Sequence, residues 1–331
     1  MTTETLEYVR LGMTELSVSP IAFGTWELGG EWGSFDEEKG IEAIRNAREL
    51  GVNFFDTAQG YGFGASERLL GRALRDDLDN RRDEVVIATK GGLRMTGDGL
   101  VRDASPEWLR SGVDSSLEAL GIEHLDLYQV HWPDPKVPFA ETAGALQELV
   151  DAGKIRHVGV SNFDAQQIAE FATTRPVETL QPPYHLFRRE IEQDILPYCA
   201  VHDIGVLVYG PLAHGLLTGA LREDTEFAAG DWRGSAPFFK GEDYRRNLVV
   251  VGELERFAQE LGVSLSRLAI AWTLANAAVD VAIVGARSRA HIEDSVAAAR
   301  LVLSDTELER IDRIMRDAVP IAGPAPEMMP D

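Results

Sequence analysis

A strand-then-helix alternation runs along this chain of 331 residues, and three of its strands finish on ionisable side chains. Gly51-Val52 leads into the apolar run of Asn53-Phe-Phe-Asp56, after which Asp56 and Tyr61 stand among glycines that let the backbone turn. Glu84-Val-Val-Ile-Ala-Thr-Lys90 finishes on a lysine, and Leu125-Asp-Leu-Tyr-Gln-Val-His131 on a histidine. Strands alternating with helices imply parallel βαβ units, and roughly eight such units imply a closed (β/α)8 TIM barrel. The C-terminal ends of barrel strands carry the active site. Asp56, Tyr61, Lys90 and His131 are therefore expected to converge on one pocket.

The other segments keep the same rhythm. Residues 8–18 alternate around Gly12-Met13 and predict a hairpin; residues 20–24 read as the first barrel strand and 36–50 as the first helix. Further strands are expected at 155–161, 177–181, 205–209 and 281–285. Helices are expected at 66–74, 106–120, 139–150, 165–173, 190–202 and near Ala290. Ser105-Pro106 marks one helix start, serine as N-cap and proline in the first turn. No break in composition marks a second domain, so the expectation is a single barrel domain over 1–331, with the barrel at about 7–318, extra helices at its C-terminal end and a Pro-rich, extended tail at 319–331. Residues 221–246 fall outside the rhythm: either a lid whose Trp232, Phe238 and Phe239 touch a substrate, or a loop whose aromatics pack on the barrel.

Charge narrows the partners. A net charge of -22 argues against nucleic acid and anionic membranes. The acidic, lysine-poor composition suits a salty cytoplasm or a genome biased toward Ala, Arg and Asp. The single cysteine, Cys199, leaves no internal disulfide and fits a reducing compartment, where its plainest role is as a small buried residue. The first residues lack the basic and apolar regions of a signal peptide, and no apolar run reaches about 18 residues, so a cytoplasmic protein is expected.

Reducing a carbonyl needs a hydride on carbon and a proton on oxygen. Tyrosine, with an ordinary pKa of about 10, serves as the acid if its phenolate is stabilised. An ammonium at Lys90 favours that phenolate, a carboxylate at Asp56 holds the ammonium, and His131 can orient or polarise the carbonyl. The motifs that carry these residues, Asp56-Thr-Ala-x-x-Tyr-Gly62, Ile87-Ala-Thr-Lys-Gly-Gly92, Tyr128-Gln-Val-His-Trp-Pro133 and Gly159-Val-Ser-Asn-Phe163, resemble those of the aldo-keto reductases in order and spacing, from about Gly12 to the helix near Arg316. The resemblance implies the same tetrad in the same roles, without metal, and a hairpin capping the bottom of the barrel.

Gly60-Tyr-Gly-Phe-Gly64 is spaced G-x-G-x-G and lacks the dinucleotide fingerprint; its glycines read as turn residues that place Tyr61. Similarity to the family instead puts the nicotinamide amide at Ser161, Asn162 and Gln181 and its ring on Tyr209. It puts the pyrophosphate at Gly210, Pro211, Leu212 and Gly215, with Gly24, Thr25, Trp26 and Asp56 also at the cofactor. The adenosine end falls at Gly285, Arg287, His291, Asp294 and Ser295. The sequence departs from the family pattern there, with His291 in place of Gln or Arg and Ser295 in place of Asn. Arg287 suits a 2′-phosphate, so NADP(H) is expected over NAD(H), although Asp294 would repel that phosphate unless it holds the adenine amino group. Trp26, Trp32, Phe63 and Trp132 are expected to line the substrate pocket with Tyr61 and His131.

The expected activity is reversible, NAD(P)H-dependent reduction of an aldehyde or ketone. The alternative is a cofactor-binding regulatory subunit of the same fold with little turnover. A metal-dependent hydrolase is disfavoured because the seven histidines include no His-x-His pair and no HExxH.

Overall fold

Strand side chains alternate between two faces, and that alternation decides which residues of this chain meet inside the barrel. The computed structural model describes residues 6–30, 36–97, 99–286 and 288–321. Two short strands, β1 (Val9–Arg10) and β2 (Ser17–Val18), form an antiparallel hairpin. The barrel follows as β3 (Ile21–Gly24), β4 (Phe54–Asp56) and β5 (Val86–Gly91). A second hairpin intervenes, β6 (Leu93–Thr96) and β7 (Gly99–Arg102). The barrel resumes with β8 (Leu125–Val130), β9 (Ile155–Ser161), β10 (Thr179–Gln181), β11 (Gly205–Tyr209) and β12 (Val281–Val284). All eight barrel strands pair in parallel with their neighbours, and β12 closes onto β3. The (β/α)8 barrel expected from the alternation is the fold observed.

One face of each strand points inward. Ala22, Phe54, Val86, Ala88, Leu127, Leu207, Val281 and Ile283 fill the barrel interior together with Leu11, Leu16 and Val18 of the first hairpin, so the hairpin plugs the N-terminal end, as the resemblance implied. Residues of the opposite phase, among them Phe23, Phe55, Ile87 and Val208, pack outward against the helices in a much larger core. Continuing the inward phase beyond the plug, Phe54 leads to Asp56, Val86 and Ala88 lead to Lys90, and Leu127 leads through Gln129 to His131.

The structure differs from the sequence reading in a few places. Residues 190–202 split into a 3-10 turn, Glu190–Glu192, and a helix, Ile195–Val201, because the Asp194 side chain caps a new start at the Ile195 N–H. The loop 221–246 contains two 3-10 turns and then the beginning of a long helix, Gly241–Glu260. The first residues of the tail are fastened: Asn247 exchanges hydrogen bonds with the Val319 backbone, and the Ile321 N–H donates to the Phe187 carbonyl. Burial and the nearby Asp280 carboxylate push the Cys199 thiol up to about 12, so it stays protonated in its buried position.

Asp280 is itself strained by its surroundings. Its carboxyl is raised from 3.8 to about 6: burial is the largest cause and Asp203 adds to it, while the Val206 N–H bond and Arg10 offset part of the rise. The folded chain thus holds this proton where the unfolded chain has released it. Stability is lost as pH rises through that window and stays lost above it. Asp280→Asn keeps an acceptor for Val206 and removes the charge, so it is expected to stabilise the protein at pH 7 by about 1–3 kcal/mol. Urea unfolding at pH 7 and at pH 4 checks this; an equal effect at both values would contradict it.

Candidate active site

At the C-terminal mouth of the barrel the inward-facing polar residues meet. Lys90 is completely buried, a position tolerable for an ammonium only when it is paired and hydrogen-bonded. Its Nζ donates to Asp56 Oδ2 at 2.6 Å, to the Thr57 carbonyl at 2.9 Å and to the Tyr61 hydroxyl at 3.4 Å. The second Asp56 oxygen accepts from Gln181 Nε2 at 2.9 Å and from Gln129 Nε2 at 3.4 Å. The His131 ring stands edge-on to the Tyr61 ring, with centroids 5.7 Å apart. All four residues of the expected tetrad are thereby brought together, with Tyr61 and His131 at the wall of a cavity of about 560 Å³.

From this corner the cavity runs past β9, β10 and β11 to the helix Arg289–Ala298. Ser161, Asn162 and Gln181 line it and are already tied to one another. Ser161 Oγ donates to the Gln181 carbonyl at 2.8 Å, and Asn162 Nδ2 donates to the His131 carbonyl at 3.0 Å. The Tyr209 hydroxyl donates to Asn162 Oδ1 at 2.9 Å, which fixes the ring as a flat wall. Gly24, Trp26, Asp56, Gly210, Pro211, Leu212, Gly215, Gly285, His291, Asp294 and Ser295 also face the cavity. Asp294 is not a lone anion: Arg267 pairs with it at 2.8 Å and Ser264 Oγ donates to it.

Several expected residues lie elsewhere. The Thr25 side chain is buried beneath the lining, where it meets Ser66 and the Asp56 carbonyl. Phe63 is 40% exposed and absent from the cavity wall. Trp132 is not among the residues lining that cavity; it clusters with Leu93 of the second hairpin, with Leu100 and the cavity-lining Tyr209 packed against the pair, and the Arg102 guanidinium lies 5.2 Å over its ring. Trp32 and Arg287 lie outside the described residues. Of the loop aromatics, Trp232 stacks on Trp26 at 5.8 Å, Phe238 packs on Trp232, and Phe239 is buried against Phe227 and Tyr244. The loop reaches the cavity through Leu221 and Arg233. Glu27, His214, Thr218, Arg233 and Ser266 line the site without having been singled out. They come from irregular loops and helix ends, where no periodicity points inward.

Among the described residues no group of three or more His, Cys, Asp or Glu could hold a metal ion, and no helix is long and apolar enough to cross a membrane.

A sequence profile of the aldo/keto reductase family matches residues 20–316. The aldo-keto reductase YhdN of Bacillus subtilis is 39% identical over 316 residues, covering 95% of either chain. The NADH-specific methylglyoxal reductase of Escherichia coli is 33% identical over 318 residues, 91% of this chain and 96% of its own. Among solved structures, the glycerol dehydrogenase AKR11B4 from Gluconobacter oxydans superposes with a TM-score of 0.86 at 37% identity, covering 98% of this chain and 99% of that one.

Proposed function

The chain belongs to the aldo/keto reductase family, and from that premise we propose that it reduces a small aldehyde or ketone to the alcohol, reversibly, with Tyr61 as the acid and base. The observation that carries this reading is the Lys90 ammonium, which touches both Asp56 and the Tyr61 hydroxyl at a cavity wall shared with His131. A nicotinamide cofactor, when bound, supplies the hydride in reduction and accepts it in oxidation.

The rest is work for the chain's own residues. The Tyr61 hydroxyl gives its proton to the carbonyl oxygen, and the adjacent ammonium stabilises the phenolate left behind. Asp56 holds Lys90 in place through the 2.6 Å bond and is itself held by Gln181 and Gln129. His131 is fixed at its backbone by Asn162 and faces the Tyr61 ring, a position from which an imidazole orients the carbonyl.

The donor set fits the cofactor. Ser161, Asn162 and Gln181 would hold a carboxamide, the fixed Tyr209 ring would take the nicotinamide face, and Gly210 to Gly215, which turn with positive φ at four of six positions, would lie against the pyrophosphate. At the far end the Arg267 pairing removes the objection that a bare Asp294 raises to a 2′-phosphate. We therefore propose NADP(H), with NADH as the competing cofactor because one similar enzyme is NADH-specific.

Titration with NADPH and with NADH, followed by quenching of tryptophan fluorescence, tests the cofactor reading, and Trp26 at the cavity wall is the expected reporter. Saturable quenching at lower concentration with NADPH is expected, together with loss of reduced-nicotinamide absorbance when small aldehydes are added. Tighter NADH binding would reverse the cofactor assignment. No response to either, with no turnover, would defeat the proposal.

A further inference from the structure

Tyr61 sits on a turn whose backbone is unfavourable. Gly62, Phe63 and Gly64 all have positive φ, at 60°, 46° and 87°. At Phe63 that conformation is strained for an L-residue. At Gly62 a Cβ would come within 2.6 Å of the Gly29 carbonyl oxygen, so only glycine fits. Such a turn keeps one shape only if its surroundings impose it.

The surroundings are the first residues of the helix Ala65–Ala73 that follows. Ser66 and Glu67 are completely buried, as are three threonines that flank the ends of three successive barrel strands. Ser66 Oγ lies 2.7 Å from Thr25 Oγ1, 3.0 Å from the Thr25 carbonyl and 3.2 Å from Thr57 Oγ1. Glu67 Oε1 accepts from Thr89 Oγ1 at 2.7 Å. Thr25 follows β3, Thr57 follows Asp56, and Thr89 precedes Lys90. Each threonine shares its strand end with the site but points to the other side, and Ser66 and Glu67 collect all three. The Ser66 N–H in turn donates to the Tyr61 carbonyl.

We infer that Ser66 and Glu67 are positioning residues that clamp the strained turn to β3, β4 and β5 and so hold the Tyr61 hydroxyl against Lys90. The inference rests on the proposed role of Tyr61 as the acid. Neither clamp residue is among those facing the cavity, so both act through Tyr61. The Glu67 carboxyl in the clamp lies in the field of Arg68 and Lys90, and around the Tyr61 ring itself stand Lys90, its partner Asp56, and His131. Releasing the turn lets the hydroxyl drift from the ammonium while those three stay fixed. The phenolate then loses stabilisation, and the alkaline limb of the pH profile moves up.

Ser66→Ala, Glu67→Ala and Glu67→Gln test this, with Tyr61→Phe as the control. Burial, the largest influence on the Glu67 carboxyl, raises it toward the neutral acid, which glutamine imitates while keeping an acceptor for Thr89. Ser66→Ala and Glu67→Ala are expected to lower kcat about 10-fold and to move the alkaline limb of kcat/KM up by about half to one pH unit, with the Kd for NADPH unchanged. Glu67→Gln is expected to stay within about 2-fold of the parent, because the bond from Thr89 survives. An unchanged pH profile in Ser66→Ala and Glu67→Ala, whether or not kcat or the unfolding midpoint falls, would overturn the clamp and leave Tyr61 as the acid. Full activity in Tyr61→Phe would instead remove the reading on which the clamp depends.

Discussion

Tyr61→Phe is expected to lower kcat/KM for carbonyl reduction by about 10²–10⁴-fold, the usual worth of a positioned general acid. The substitution removes one oxygen and leaves the ring, which packs beside Trp26 and His131. Cofactor binding should hardly change, since the hydroxyl touches Lys90 and is not among the expected cofactor contacts, most of which lie from β9 to the helix after β12. Steady-state kinetics on a panel of small aldehydes, paired with fluorescence titration of NADPH, separates the two effects. Activity within a few-fold of the parent would mean that another group delivers the proton, and a matching loss of NADPH affinity would mean that the phenol serves binding.

Lys90→Met is expected to remove activity and also to destabilise the fold by about 3–5 kcal/mol. The ammonium is fully buried and its partner Asp56 nearly so. Deleting one member leaves an uncompensated carboxylate in a medium of low polarity, and the two amides on its other oxygen cannot replace a cation. Methionine matches the volume, so the loss would come from charge and not from a cavity. Adding Asp56→Asn to Lys90→Met should therefore restore most of the stability and none of the activity. Urea unfolding of the two single variants and the double variant gives the coupling. A single Lys90→Met variant within about 1 kcal/mol of the parent would show that the pair is better solvated than its burial implies.

The architecture and three of the four tetrad residues were legible for one shared reason, while Tyr61, on the turn beyond β4, rested on the motif that resembles the family's. Asp56, Lys90 and His131 each end an apolar run in the inward phase, so the pattern that announces a strand also says where its last side chain points. Trp132 shows how narrow that information is: one position further on, its ring is no longer in the cavity lining and clusters with Leu93, beside Tyr209. Where no strand or helix imposes a period, direction cannot be read, and this is how Glu27, His214 and Arg233 were missed and Phe63 was included. His214 reaches the wall from a residue with a φ of 55°, a conformation that composition does not signal. The second hairpin had a usable sign in Thr96-Gly-Asp-Gly99, a turn sequence between two short runs. Its strands are only four residues each, too short for alternation to stand out against the helix beyond.

The plug at the base of the barrel has a consequence for the order in which the molecule assembles. The Met13 N–H donates to the Asp203 carbonyl, and the Arg10–Asp203 ion pair closes a separation of 193 residues. Leu11, Leu16 and Val18 cannot be covered until strands as late as β12 have been laid down. The hairpin thus emerges before the strands that cover it and is among the last elements to find its place. During that wait three apolar side chains have no native partner, and a nascent chain in that condition depends on chaperones or on speed to avoid aggregation.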